Sequence, residues 1–202
     1  MSVTKSIRTN VQRIKRGEPF TSTRFLRLGS RSAVDKALSR LVEEGTIHRI
    51  TRGVFVRPKQ SRFVGQVMPD VNRVIEVIAK DHDEIIQLHG AEAARRFKLS
   101  TQMPISPVYY TNGASREIHI GNLKVKLMHT TNQRRLQHAG KKPGMALSAL
   151  WYLGKENINP KAIEQIRNSL SPEEFETLRA SKMPAWMNNA LKVYNSRNTA
   201  DD

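Results

Sequence analysis

The sequence predicts an α+β protein: an N-terminal winged helix-turn-helix, then a mixed domain with a small antiparallel sheet and several helices. Three observations carry that prediction. Up to Val42, apolar residues recur at spacings of three and four; from Thr46 to Val56 the pattern changes to two short β-rich runs around a glycine. Residues 108–128 hold three more β-rich runs, punctuated by Asn112-Gly113 and Gly121-Asn122. From Ala146 onward, apolar stretches follow helix-start residues such as Asn159-Pro160 and Ser171-Pro172.

The elements of the first module follow in order. Val3, Ile7, Val11 and Ile14 share one face of a helix, Lys5, Arg8, Arg13, Lys15 and Arg16 take its other sides, and Gly17 stops it. A short second helix starts after Thr21 as N-cap, with Phe20 and Phe25 at the hydrophobic-staple positions, and ends at Gly29. In the third helix, which opens on Ser30 or Ser32, the pairs 33/34, 37/38 and 41/42 form an apolar stripe. Arg31, Ser32, Asp35, Lys36, Ser39 and Arg40 fall opposite, and Glu43-Glu44-Gly45 closes the end. Two acids in a last turn oppose the helix dipole, a choice consistent with a helix whose N-terminal half approaches phosphate. Thr46–Ile50 and Val54–Val56 then read as a hairpin across Thr51-Arg52-Gly53.

Pro58–Arg62 breaks this pattern as a linker. The second module opens with a helix after Pro69-Asp70, on which Val71, Val74, Ile75 and Ile78 share a face. Val108–Thr111, Glu117–Ile120 and Leu123–Met128 read as a three-stranded antiparallel meander. Four helices follow: the apolar run Ala146–Leu153, Pro160–Leu170, a capping-box helix from Ser171, and a last one from Pro184-Ala185-Trp186. The expected division is residues 1–64, 65–195 and a polar tail 196–202.

Composition narrows the function. The chain has 202 residues, 34 Lys plus Arg against 18 acids, a net charge of +16 and no cysteine. Disulfide scaffolds, thiolate zinc sites and cysteine nucleophiles are therefore excluded. No apolar leader segment and no run of about 18 apolar residues is visible, so a cytoplasmic protein without a membrane partner is expected. The charge is localised: residues 1–64 carry a net +11 and residues 65–202 a net +5. A basic module on a milder remainder favours a polyanionic partner.

In a winged helix-turn-helix the third helix enters the major groove of double-stranded DNA, and the wing lies on the backbone. The expected DNA-binding residues are Arg31, Ser32, Lys36 and Arg40 on that helix, with Arg49, Thr51 and Arg52 on the wing. Arginine can read guanine bidentately, and hydroxyls suit phosphates. A second basic surface is expected from an acid-free stretch between Glu117 and Glu156: Lys124, Lys126, Arg134, Arg135, Lys141 and Lys142. A solvated loop is the plain alternative for that stretch.

Catalytic signals are absent. Asp81-His82-Asp83-Glu84 lacks a second histidine at helical spacing, and there is no Walker loop, GxGxxG or GxSxG. Neither an enzyme nor a cofactor or metal is expected. Trp151 and Tyr152 sit in an apolar helical run and read as core.

The chain resembles the AbiEi-type antitoxins of bacterial abortive-infection toxin–antitoxin systems. The residues that carry the likeness are Leu41–Phe55, Gly90-Ala91-Glu92-Ala93-Ala94 and Val108-Tyr109-Tyr110-Thr111-Asn112-Gly113. The resemblance implies a winged-helix domain followed by a C-terminal antitoxin domain. It also implies autorepression through promoter inverted repeats and counteraction of a nucleotidyltransferase toxin, often without stable contact; dimerisation on DNA is a further expectation. Two other readings stay open: a winged-helix regulator without an antitoxin role, and an RNA-binding protein.

Overall fold

Ile7 and Val11 are buried on one side of helix α1 (Val3–Arg13), as their spacing requires, and Ile14, the extended residue that ends it, is buried in the same cluster. They appear so in a computed structural model of the chain, which describes residues 2–62, 65–102 and 106–198. Ser2 caps α1 by accepting the Lys5 N–H. Next comes a short strand, β1 (Pro19–Thr21), and then a 3-10 helix over Ser22–Leu28 where the sequence predicts an ordinary α-helix. The Phe20 and Phe25 rings meet edge-on at 5.8 Å, so the staple forms on a tighter turn.

Helix α2 (Arg31–Glu43) is capped by Ser30, whose hydroxyl accepts the Ala33 N–H. Val34, Ala37, Leu38 and Leu41 are buried against Ile7, Val11 and Phe25 in one hydrophobic cluster. The acidic end of α2 has a local reason: Glu44 forms an ion pair of 2.7 Å with Arg8 of α1. Strands β2 (His48–Thr51) and β3 (Val54–Val56) make the predicted hairpin. The sequence reading misses β1, which pairs antiparallel with the other side of β3 to give the order β1-β3-β2. Three residues opening on a proline carry too little periodicity to signal a strand.

The predicted linker at 58–62 is also partly a strand. β4 (Lys59–Ser61) pairs antiparallel with β5 (Gly65–Val67). Lys59-Gln60-Ser61 has no apolar residue to alternate, so nothing in the sequence marks this solvated ribbon. Helix α3 (Val71–His82) starts where predicted, with Asp70 accepting from the Asn72 and Arg73 N–H groups, and it buries Val74, Ile75 and Ile78.

The second sheet departs from the expected meander. β6 (Ile86–Leu88), β7 (Val108–Thr111), β8 (Arg116–Ile120) and β9 (Leu123–His129) lie in the order β6-β7-β9-β8. β7 runs antiparallel to β6 but parallel to β9, so the sheet is mixed. Asn112 ties the end of β7 to the start of β6, its side-chain oxygen accepting the Ile85 N–H at 2.8 Å. Asn112-Gly113 thus joins β7 to β6 instead of turning a tight hairpin, while Gly121-Asn122 does turn between β8 and β9.

The remaining helices are α4 (Gly90–Arg96), α5 (Lys142–Leu153), α6 (Pro160–Ser169), α7 (Pro172–Arg179) and α8 (Ala185–Asn198). The Ser171–Glu174 capping box of α7 is present in both directions. Helices α4 and α5 approach closely at Gly90, where an added Cβ would stand 2.4 Å from the Ser148 carbonyl oxygen. Residues 196–198 of the expected tail continue α8, and 199–202 lie outside the described residues.

The protein is therefore α+β, and it forms two compact units. One comprises the chain up to Glu84 with Ile118–Lys124; the other comprises Ile85–Glu117 with the chain from Val125 onward. This partition differs from the sequence division after residue 64, because α3 packs on β1 of the first unit.

Candidate nucleic-acid interface

In the first unit, the apolar stripe of α2 faces the core and leaves Arg31, Ser32, Lys36 and Arg40 exposed along the opposite side. Arg31 is partly engaged: its Nε donates to Asp35 Oδ2 at 3.1 Å, an exposed i, i+4 pair. The hairpin turn Arg52-Gly53 has Gly53 at φ +76°, a left-handed conformation that favours glycine. Arg49 and Arg52 are exposed and Thr51 is half-buried. The Arg49 guanidinium lies 5.4 Å from the centre of the Phe55 ring directly across the ladder, which limits its swing.

Not every cation of this unit faces outward. Arg57 turns inward, donating to the carbonyls of Gln12 at 2.7 Å and Ile14 at 2.6 Å, so it closes the C-terminal end of α1. Two exposed arginines that the sequence reading passes over, Arg24 and Arg27, project from the 3-10 helix. They line a shallow cleft of about 570 Å³ with Phe20, Val77, Lys80 and Asp81. Thr23 donates to the Asp81 carboxylate across it. Arg24 and Arg27 share one side of the 3-10 helix at a spacing of three, a pair too short to stand out in the sequence.

The six residues expected to form a second basic surface are not one set. Lys124 belongs to the first unit and the other five to the second. Lys124 and Lys126 are exposed on β9, alternating with buried Val125 and Leu127. Arg134 and Lys141 are exposed. Lys142 donates to the Ser169 carbonyl at 3.2 Å and stands 3.8 Å from Glu174. Arg135 is half-buried, with its guanidinium carbon 5.1 Å from the Tyr110 ring centre and 4.9 Å from that of Trp151.

Around Arg135 the second unit gathers an aromatic cluster, of which the sequence reading assigns Trp151 and Tyr152 to the core. His89 lies tilted against Tyr110 at 4.9 Å and meets Tyr152 at 6.4 Å, and Trp151 meets Trp186 edge-on at 6.3 Å. Trp151 is only half-buried and Tyr152 is 40% exposed, which corrects the expectation that both are core. Burial, and then the neighbouring charge of Arg135, hold His89 below its ordinary pKa, which favours the neutral ring. Nearby on α4, Arg95 and Arg96 both grip Glu92, and the Arg95 hydrogen bond is the main reason its carboxyl titrates lower than usual.

The sequence Asp81–Glu84 closes α3, with Asp83 in the left-handed conformation at φ 53°. Among the described residues no group of three or more His, Asp or Glu side chains is placed to hold a metal ion. Nor is any helix among them long and apolar enough to cross a membrane.

A family model matches residues 6–178, running from α1 into α7; it is described as a family of unknown function (DUF6088). The chain belongs to the DUF6088 family. No curated protein matches it. The DUF6088 match takes in every residue of the α2 and hairpin face and most of the aromatic cluster, Trp186 lying beyond it.

Proposed function

We propose that this protein is a regulator that binds double-stranded DNA through a winged helix-turn-helix in its first unit. The observation that carries the reading is the outward face of α2. Arg31, Ser32, Lys36 and Arg40 are exposed on one side of a capped helix whose other side is buried. The element order supports it: α1, β1, a short helix, α2 and the β2–β3 hairpin, with β1 zipped to β3. In this arrangement α2 is the recognition helix, and Arg49, Thr51 and Arg52 meet the backbone or minor groove. Arginines on the helix read guanine edges, while Ser32 and the wing contact phosphate.

The test is binding of the full chain to duplex from its own upstream region, followed by anisotropy across a salt series. Arg31→Ala and Arg40→Ala weaken binding at physiological salt while thermal unfolding is unchanged. Each phosphate contact removed lowers the log–log salt slope by about 0.9. Equal affinity of both variants and wild type would eliminate α2 as the reading helix. Preference for single-stranded RNA over duplex would favour the RNA-binding reading instead.

The resemblance to AbiEi-type antitoxins, carried by Leu41–Phe55 and the Tyr-Tyr-Thr-Asn-Gly segment, extends the proposal to autorepression and antitoxin action. On this reading the protein represses its own promoter and counteracts a nucleotidyltransferase toxin. Co-expression with an adjacent nucleotidyltransferase gene tests it: the full chain relieves growth arrest, and Arg31→Ala with Arg40→Ala loses repression but keeps relief.

A further inference from the structure

We propose that Arg135 and Tyr152 are the two ends of a nucleotide-binding site in the second unit, Arg135 taking the phosphate and Tyr152 stacking on the base. The proposal is independent of the duplex-binding face of α2. It starts from the state of Arg135. This guanidinium is half-buried, yet no carboxylate pairs with it among the described residues; its one polar partner is the Tyr110 hydroxyl, to which Nη1 donates at 2.7 Å. A guanidinium held by ring faces and one hydroxyl, with no carboxylate on it, keeps its charge available to an anion. The Tyr110 and Trp151 rings, 5.1 and 4.9 Å away, fix the guanidinium plane. Most of its five donors remain for a ligand, and a planar fork suits the paired oxygens of a phosphate.

Aromatic surface leads from that cation toward solvent. The Tyr110 ring carries His89 at 4.9 Å, and His89 meets Tyr152 at 6.4 Å. Tyr152 is 40% exposed, and its hydroxyl donates to Gln102 Oε1 at 3.3 Å, which orients the ring. The His89 Nδ1 is occupied as acceptor for the Ala91 N–H, so the imidazole stands as a rigid neighbour. Phosphate on arginine beside base on tyrosine is the pairing that single-stranded nucleic-acid sites use. The shared ligand chemistry is a nucleotide, either free or as part of a single strand.

The chain carries its own reporter. Its two tryptophans, Trp151 and Trp186, both lie in this cluster, and the first unit has none. Intrinsic fluorescence of the full chain is titrated with UMP, with inorganic phosphate, and with short U-rich RNA and T-rich DNA strands near physiological salt. The expected result is a saturable change with UMP, weakened about tenfold or more in Arg135→Gln and in Tyr152→Ala. Strands that bind far tighter than UMP identify a single strand as the ligand, and equal affinity identifies the free nucleotide; both support the site. Absence of a saturable change with every probe overturns it. So does inorganic phosphate binding as well as UMP, or a folded Tyr152→Ala that binds like wild type. Because Tyr152 is exposed, that variant decides the matter if circular dichroism shows Arg135→Gln misfolded.

Discussion

The backbone N–H of Ser22 donates to the Gly53 carbonyl at 2.9 Å, so the start of the 3-10 helix and the turn of the β2–β3 hairpin are joined. The hairpin tip therefore does not hang free. Gly53 holds φ +76°, and a Cβ there would meet nothing closer than Ser22 Oγ at 3.9 Å. Gly53→Ala consequently tests backbone conformation alone. It is expected to cost about 1 kcal/mol, the usual penalty for an L-residue in the left-handed region. In DNA binding it raises the dissociation rate more than it lowers the association rate. Unfolding curves in urea and stopped-flow anisotropy check the two effects.

Gly90→Ala is expected to do more damage for a different reason. Gly90 needs no positive φ, but a Cβ would sit 2.4 Å from both the Ser148 oxygen and the Tyr152 Cβ. One of these is backbone of α5, so the two helices must separate. Overpacking of this kind costs roughly 1–3 kcal/mol. The same shift displaces Tyr152, so nucleotide binding in the second unit falls while duplex binding by α2 is unchanged. Thermal unfolding with both binding assays on the one variant checks it.

These two glycines also show what the sequence makes legible. The α2 face can be read because thirteen residues repeat a pattern at helical period and Ser30 marks the start. The staple of Phe20 on Phe25 is equally readable, since capping is local chemistry. What is not legible is pairing between distant segments. β1 acquires its identity from β3, some 35 residues away, and β9 lies parallel beside β7 with no local motif to announce it. Arg135 reads as one more surface cation in an acid-free run. Its aromatic neighbours Tyr110 and Trp151 come from a strand and a helix separated by 41 positions, and only the fold brings them together.

Asp35→Asn is expected to strengthen DNA binding. Asp35 lies on the outward face of α2 in its N-terminal half, and it holds Arg31 at 3.1 Å. As an exposed i, i+4 pair the contact contributes about 0.3–0.5 kcal/mol to stability, so its loss leaves folding nearly unchanged. Freed Arg31 then meets phosphate or base without competition, and one repulsive charge is gone from the interface. Affinity for promoter duplex rises several-fold at low salt, and the gain shrinks as salt increases. A variant that binds more weakly than wild type would instead assign Asp35 to positioning Arg31.

Arg57→Ala separates charge from architecture. Arg57 lies in the basic module, but its guanidinium serves the Gln12 and Ile14 carbonyls at the end of α1. Losing two charge-assisted hydrogen bonds, one exposed and one partly buried, costs about 1.5–3 kcal/mol each at most, with overlap between them. Duplex affinity measured below the unfolding range stays within about twofold of wild type, since no phosphate contact is lost. The opposite pattern, stable protein with weak binding, would place Arg57 on the DNA.

Acid sensitivity follows from two groups in the second unit with different windows. Burial and Arg135 depress His89 below its ordinary 6.5, so the unfolded chain takes up that proton before the folded one does. The stability tied to a neutral His89 is therefore complete above 6.5 and is lost as pH falls below it. Glu92, held low by Arg95 and Arg96, acts likewise but only below its ordinary 4.5. His89 also caps α4 by accepting the Ala91 N–H, so the informative variant is His89→Asn, which keeps a capping acceptor and cannot titrate. Urea unfolding of wild type weakens between about pH 7.5 and pH 5.5, and His89→Asn shows a smaller loss over that interval. Both proteins weaken together below about pH 4.5, where Glu92 takes up its proton. Parallel curves for the two proteins between pH 7.5 and 5.5 would assign the upper window to another group.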